Sequence, residues 1–240
     1  MNKLTKKKYR AQLFQHLDGI ALCSTISVLY ESKLFEFILK TSNFSIKKLS
    51  NKFSANPGYL NIAFRLLFSQ GWVIRNHDYI KNDIRYKLSS KGIEAISYAK
   101  YYNIFAKSIP LLKVININIF EKNDIEYDSI KNLIKTLDSL SNTKSINNTV
   151  KSEVILHLEG FLAGPILVAT GMCSYFDNLI FSNKSLDVKS LSNEIPGFKI
   201  IFEIFLYLKF IIKVDGKYFF SEKGIFFIKR SSAYGVTVSY

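Results

Sequence analysis

At 240 residues the chain has room for one large domain or two small ones with real cores. A hydrophobic content of 48%, with 20 Phe and 14 Tyr, excludes a disordered chain. The net charge of +14 invites a nucleic-acid or membrane partner, but it is scattered among abundant Lys, Asn and Ile. Its densest run, Lys3 with Lys6-Lys7-Lys8 and Arg10, is accounted for by a solvated N-terminal tail.

From Lys8 to about Lys40 the pattern predicts two helices. The first carries Leu13, Phe14 and Leu17; the second runs from Ile20 to Tyr30 with Leu22, Ile26 and Leu29 inward. Leu34–Leu39 adds a short amphipathic turn. A short helix (Ile46, Leu49, Phe53) follows, then the turn signal Asn56-Pro57-Gly58. A second helix places Leu60, Ala63, Phe64, Leu67 and Phe68 on a buried face, and Gly71 stops it. Trp72-Val73-Ile74 and Tyr86-Lys87-Leu88 read as two strands. Helix, turn, helix and two strands is the order of a winged helix-turn-helix, closing near Ile96. A helical connector, Tyr98 to Leu112, is broken by Pro110. Ile115–Phe120 alternates like a strand, and Ile130, Leu133, Ile134, Leu137 and Leu140 restore a helix. The Ser-, Asn- and Thr-rich stretch from Ser139 to Asn148 marks a boundary.

The second half repeats the first. His16-Leu17-Asp18-Gly19 returns as His157-Leu158-Glu159-Gly160, and Leu49-Ser50-Asn51 as Leu191-Ser192-Asn193. Pro57-Gly58-Tyr59 returns as Pro196-Gly197-Phe198. The run from Tyr86 to Ile93 returns from Tyr218 to Ile225. The spacing falls from 141 residues at the histidine to 139 at the proline and 132 at the last match, so copy two has a shorter turn and a shorter wing. Two copies make a tandem duplication, not a solenoid. Within copy two, Gly160 to Phe176 carries no charge. It is short for a membrane span and Pro165 interrupts it, so it is expected to be a buried helix, with Gly160-xxx-Gly164 a place of close helix packing. Ser231 to Tyr240 is β-prone and the chain stops abruptly after it, as a cut chain would.

Chemistry-bearing motifs are sparse. His16 and His157 are each followed two residues on by a carboxylate, and His77 falls in the wing; helix-surface or interhelix polar contacts account for the repeated pair. Cys23 and Cys173 lie in apolar helix patterns, outside redox or metal spacing, and read as small buried hydrophobes. No Ser, Cys or Lys nucleophile stands in a recognisable motif, and G-x-G occurs nowhere, so an S-adenosylmethionine (SAM) site of the strand–glycine loop–helix type cannot be built. The expected catalytic, cofactor-binding and metal residues are therefore none. For DNA, the helix from Pro57 to Gln70 offers only Asn61, Arg65 and Gln70. Its counterpart, Phe198 to Phe210, carries Lys199, Glu203 and Lys209 among apolar residues. Both helices are expected to be buried on more than one side.

Gly19 to Glu36, Leu49-Ser50, and Pro57 with Leu60, Arg65-Leu66-Leu67 and Gly71 resemble the N-terminal winged-helix domain of small-molecule O-methyltransferases. His157 to Met172, Ser221 to Ile225 and Ala233 to Tyr240 are similar to the region ahead of the catalytic core in polyketide-type class I SAM-dependent methyltransferases. The resemblance implies dimerisation and the covering of a substrate pocket, with SAM held only in a downstream domain that these residues do not include. The expected fold is mainly α (α+β), with tandem winged helix-turn-helix units at 1–96 and 150–240 joined by a helical connector at 97–149. The expected role is the accessory region of such a methyltransferase in polyketide-like metabolism. Its partners would be the methyltransferase core or another protein and a second copy of the chain, not a membrane. A basic run followed by an amphipathic helix does not read as a signal peptide, so the expected location is the cytoplasm. The competing reading is a winged-helix DNA-binding regulator.

Overall fold

Helix α1 (Lys3–Glu31) runs unbroken for 29 residues, where the sequence predicts two helices meeting at Gly19. The basic residues Lys3 to Arg10 form its first turns rather than a loose tail. A mid-helix glycine costs about 1 kcal/mol relative to alanine. Here that cost is offset because the bare backbone admits a second helix, described below. Leu13, Leu22, Ile26 and Leu29 are buried as expected, but Phe14 faces outward.

The computed structural model describes residues 1–78, 83–109, 127–145, 147–172, 176, 179–180, 184–195 and 197–238. The expected break at Pro110, the strand at Ile115–Phe120, Cys173, Pro196 and the last two residues lie outside these.

Copy one continues with α2 (Leu34–Leu39), β1 (Phe44–Ser45), α3 (Ile46–Phe53), α4 (Pro57–Ser69), β2 (Val73–Asp78), β3 (Asp83–Leu88) and α5 (Ser90–Ser97). The caps explain the boundaries. Ser45 accepts from the Lys48 amide at the start of α3, and Asn56 accepts from the Gly58 and Tyr59 amides ahead of α4, with Pro57 in the first turn. Gly71, at φ +70°, turns the chain out of α4, and the Trp72 amide donates to the Leu67 carbonyl at 2.9 Å. The three strands pair antiparallel in the order β1-β3-β2. The rings of Phe44, Phe64 and Tyr86 meet beneath them.

Copy two rebuilds this as α9 (Val188–Glu194), α10 (Phe198–Tyr207), β4 (Ile211–Val214), β5 (Lys217–Phe220) and α11 (Glu222–Ile228). An isolated bridge, Leu186 with Tyr218, stands where copy one pairs Phe44 with Tyr86. The Phe210 amide donates to the Phe205 carbonyl as Trp72 does to Leu67. Lys209 takes the left-handed φ of 58° that Gly71 takes in copy one. Ser89 and Ser221 cap α5 and α11 alike, each accepting from the glycine amide three residues on. The fold is thus mainly α with, among the described residues, two small sheets: two winged helix-turn-helix units joined by α6 (Ala99–Lys107) and α7 (Tyr127–Asn142).

Beyond the repeat, α8 (Asn148–Met172) is the second long helix. Its most apolar stretch has a mean hydropathy of 1.6 and is 72% buried inside the protein, which makes it a core helix. The last helix, α12 (Ser231–Val238), replaces the expected β-prone run. Buried Tyr234 anchors it, and tertiary contact overrides the weak strand preference of Val and Thr.

The chain packs as two units that run across the sequence boundaries at 96 and 149. One comprises Met1–Ala21, Lys107–Thr143 and Ile155–Tyr240; the other Leu22–Ala106 and Lys144–Val154. The first part of α1 therefore belongs with the winged helix of copy two, and the first part of α8 with that of copy one.

Candidate functional site

The repeated His-Leu-Asp/Glu-Gly segments meet each other. A Cβ at Gly19 would fall on the backbone of His157, and one at Gly160 on the backbone of His16. Helices α1 and α8 cross there with a pseudo-twofold relation, each glycine receiving the histidine of the other copy. Both histidines are fully buried. His16 Nδ1 shares a 2.8 Å hydrogen bond with the Tyr234 hydroxyl. Burial pushes the Tyr234 phenol up, so the hydroxyl keeps its proton within this bond. His16 Nε2 faces the Glu159 carboxylate at 3.8 Å. Burial lowers the pKa of His16, against the pull of Glu159, and the ring is neutral. A ring sealed from solvent is placed to join helices, not to meet a substrate. Among the described residues no group of His, Cys, Asp and Glu could hold a metal ion. His77 lies in β2, and the other cysteine read as buried, Cys23, is fully buried with its thiol on the Tyr102 carbonyl at 3.3 Å.

The helices in the recognition position differ between copies. Aligning Trp72 with Phe210 sets Asn61, Ile62 and Arg65 of α4 against Lys199, Ile200 and Glu203 of α10. On α10 this face is covered by α7. The Tyr127 hydroxyl donates to Glu203 at 2.9 Å, and Lys199 and Lys131 sit 4.3 and 4.4 Å from the Tyr127 ring centre. Ile200 is 3% exposed, and its counterpart Ile62 is 65% exposed. The expectation that both helices are buried on more than one side therefore holds for α10 and fails for α4. Tyr59, Ile62 and Phe68 project from α4 into solvent, because among the described residues no helix covers α4 as α7 covers α10. With Val28 of α1, 65% exposed, Tyr59 and Ile62 border an open apolar groove of about 440 Å³ that also includes Thr25, Leu60 and Ala63. Sequence reasoning missed this groove, since Ile62 lies off the apolar stripe that it used.

The comparisons bear on these same regions. Residues 9–75 match the AprA N-terminal domain. Residues 159–240 match the AprA winged helix domain. No curated protein matches the chain. The matched models are not a methyltransferase dimerisation domain, and they overturn the resemblance to O-methyltransferases and polyketide-type methyltransferases; the winged helix stands. The physical reason is visible in the residues that carried that resemblance. Gly19, Asn56-Pro57-Gly58, Gly71 and Ser221-x-x-Gly224 are what a helix crossing, a capped turn and a wing require. Any winged helix can meet these requirements, so they do not single out a methyltransferase.

Proposed function

We propose that the chain is a non-catalytic accessory module of the cytoplasm that works by binding protein, and that the α4 groove receives an acidic amphipathic helix of a partner. The observation that carries this is the contrast between Ile62 and Ile200: the same position is open on α4 and closed by an amphipathic helix on α10. The covering helix α7 brings Tyr127 and Lys131 to the acid on α10, Glu203. On α4 the corresponding residue is the exposed base Arg65, and Lys47, Lys48 and Lys52 are exposed on neighbouring α3. Charge complementarity then calls for an acidic partner helix. The net charge of +14 opposes docking of a second copy on this face.

The DNA-binding reading is weaker. A recognition helix aims cations at phosphates, whereas α10 spends Lys199 on Tyr127 and α4 presents Tyr59 and Ile62.

The probe is a synthetic peptide of residues 127–142 with Lys131 and Lys135 replaced by Glu, followed by fluorescence anisotropy. Saturable binding in the micromolar range is expected, lost in Ile62→Glu and weakened at least tenfold for the unmodified peptide. Equal binding to wild type and Ile62→Glu, or none, sinks the proposal. Concentration-dependent dimers by sedimentation that Ile62→Glu dissolves would assign the groove to a second copy. A gel shift on random duplex at about 150 mM salt would favour the regulator.

A further inference from the structure

The pseudo-twofold relation pairs residues that the sequence keeps far apart. In copy one, the wing lysine Lys91 is bound to Glu153 of α8, Nζ to Oε2 at 2.6 Å. The register of the histidine repeat sets Glu153 against Gln12, and the register of the wing repeat sets Lys91 against Lys223. Lys223 and Gln12 do line one cavity together, between α1, α8 and the second wing, of about 450 Å³. There the carboxylate is missing and an amide stands in its place. Gln12 Oε1 is buried without a hydrogen-bond partner. Lys223 donates to the Leu208 carbonyl at 2.9 Å and lies 5.3 Å from the Phe210 ring centre.

The surrounding charges favour an anion. Lys8 and Lys209 face the same cavity, and with the desolvation of Lys223 they lower its pKa; Glu159 opposes them. A carboxylate placed beside Lys223 would relieve that strain on the ammonium. Of the two acids on the wall, Glu222 is 63% exposed and held by the N-terminal amine at 3.5 Å, while Glu159 is turned toward His16 at 3.8 Å. Tyr9, Leu156 and Tyr207 supply an apolar wall. The volume lies in the range of small-ligand sites, about 300–1,000 Å³.

We propose that this cavity binds a small carboxylate with an apolar body, whose carboxylate takes beside Lys223 the place that Glu153 fills beside Lys91. The site is separate from the α4 groove, so the two proposals stand or fall independently. The same chemistry could come from a free acid or from the C-terminus of a peptide. The probes are therefore 3-phenylpropionate and N-acetyl-glycyl-phenylalanine, with 3-phenylpropanol as the neutral control, titrated by calorimetry and thermal melt on the full chain.

At least one acid is expected to bind saturably at least tenfold more tightly than the alcohol, and the tighter acid names the source. Lys223→Gln should cut that affinity at least tenfold. Gln12→Glu should rebuild the ion pair of copy one, raising the melting temperature of the ligand-free chain and abolishing the ligand's effect. Should no acid bind the wild type, or should all three proteins respond alike, the site is overturned.

Discussion

At the scale of single residues, the crossing of α1 and α8 rests on the absence of two β-carbons. Gly19→Ala and Gly160→Ala each drive a methyl into the other helix's backbone, which no rotamer change can relieve. Overpacking of this kind costs about 1–3 kcal/mol. Each variant should melt several degrees lower, roughly 2–4 °C per kcal/mol at this size. Gly235→Ala, in α12 with nothing within 4 Å of the added carbon, should not lower the melt, since an open helical alanine gains up to about 1 kcal/mol over glycine, and it serves as the control. If all three melt alike, the crossing is not held by glycine.

His16 adds a pH dependence of known sign. Its folded-state pKa lies below the ordinary value, because burial outweighs Glu159, and Lys223 opposes the charge too. Between the two values the unfolded chain binds the proton and the folded chain does not, so stability rises with pH. The contribution is complete above about pH 6.5 and is lost as pH falls toward the folded value. Melts at about pH 7.5 and 5.8 should differ, with the slope from one proton at most about 1.4 kcal/mol per pH unit. His16→Asn should flatten the difference. A slope unchanged in that variant would assign it to other groups.

At the scale of elements, packing and not cation count dictates the recognition-position helices. Leu67 of α4 and Phe205 of α10 are both fully buried and occupy equivalent positions. Burying one such side chain stabilises by roughly 1.5–3 kcal/mol, and an unpaired buried ammonium adds a larger penalty. Leu67→Lys and Phe205→Lys should therefore unfold the protein or lower its melt sharply. Arg65→Ala, on the exposed face of α4, should stay within about 0.5 kcal/mol. Lysine variants that stay folded in a circular-dichroism melt and gain affinity for duplex would put these helices on a DNA-facing surface.

At the scale of the whole molecule, the duplication is folded with its long helices exchanged. Met1–Ala21 completes the unit that contains Ile155–Tyr240, and Lys144–Val154 completes the unit that contains Leu22–Ala106. A chain divided at Lys144 should thus give two pieces that each lack part of a core. The first loses Val150 and Val154, and the second loses Leu13 and His16, all buried in the intact protein. Each piece alone should give a non-cooperative melt, and mixing them should restore one cooperative transition and a 1:1 complex by sedimentation. Independent cooperative folding of either piece would contradict the exchange.

Much of this was legible in the residues alone, because it depends on local rules. Asn56-Pro57-Gly58, Gly71 and the Ser-x-x-Gly caps specify turns and helix starts through backbone bonds within a few residues, and the return of Pro-Gly 139 positions later and of Ser-x-x-Gly 132 positions later announces a second winged unit. The same repeat places Glu153 opposite Gln12 in register, a difference readable from sequence. What it could not say is which copy each residue would touch. The two helices expected to either side of Gly19 form one, since only a second helix at that spot makes the missing side chain useful. Ile62 and Ile200 are the same residue at equivalent positions, and only the course of α7 in space covers one and leaves the other bare. Local sequence determined the winged units and their duplication, but not the single helix α1 or the helical fold of α12. Burial, the exchange and the two unfilled surfaces depend on which elements meet in space, from the 76 positions between Tyr127 and Glu203 to the 138 between Gly19 and His157, and no local pattern encodes that.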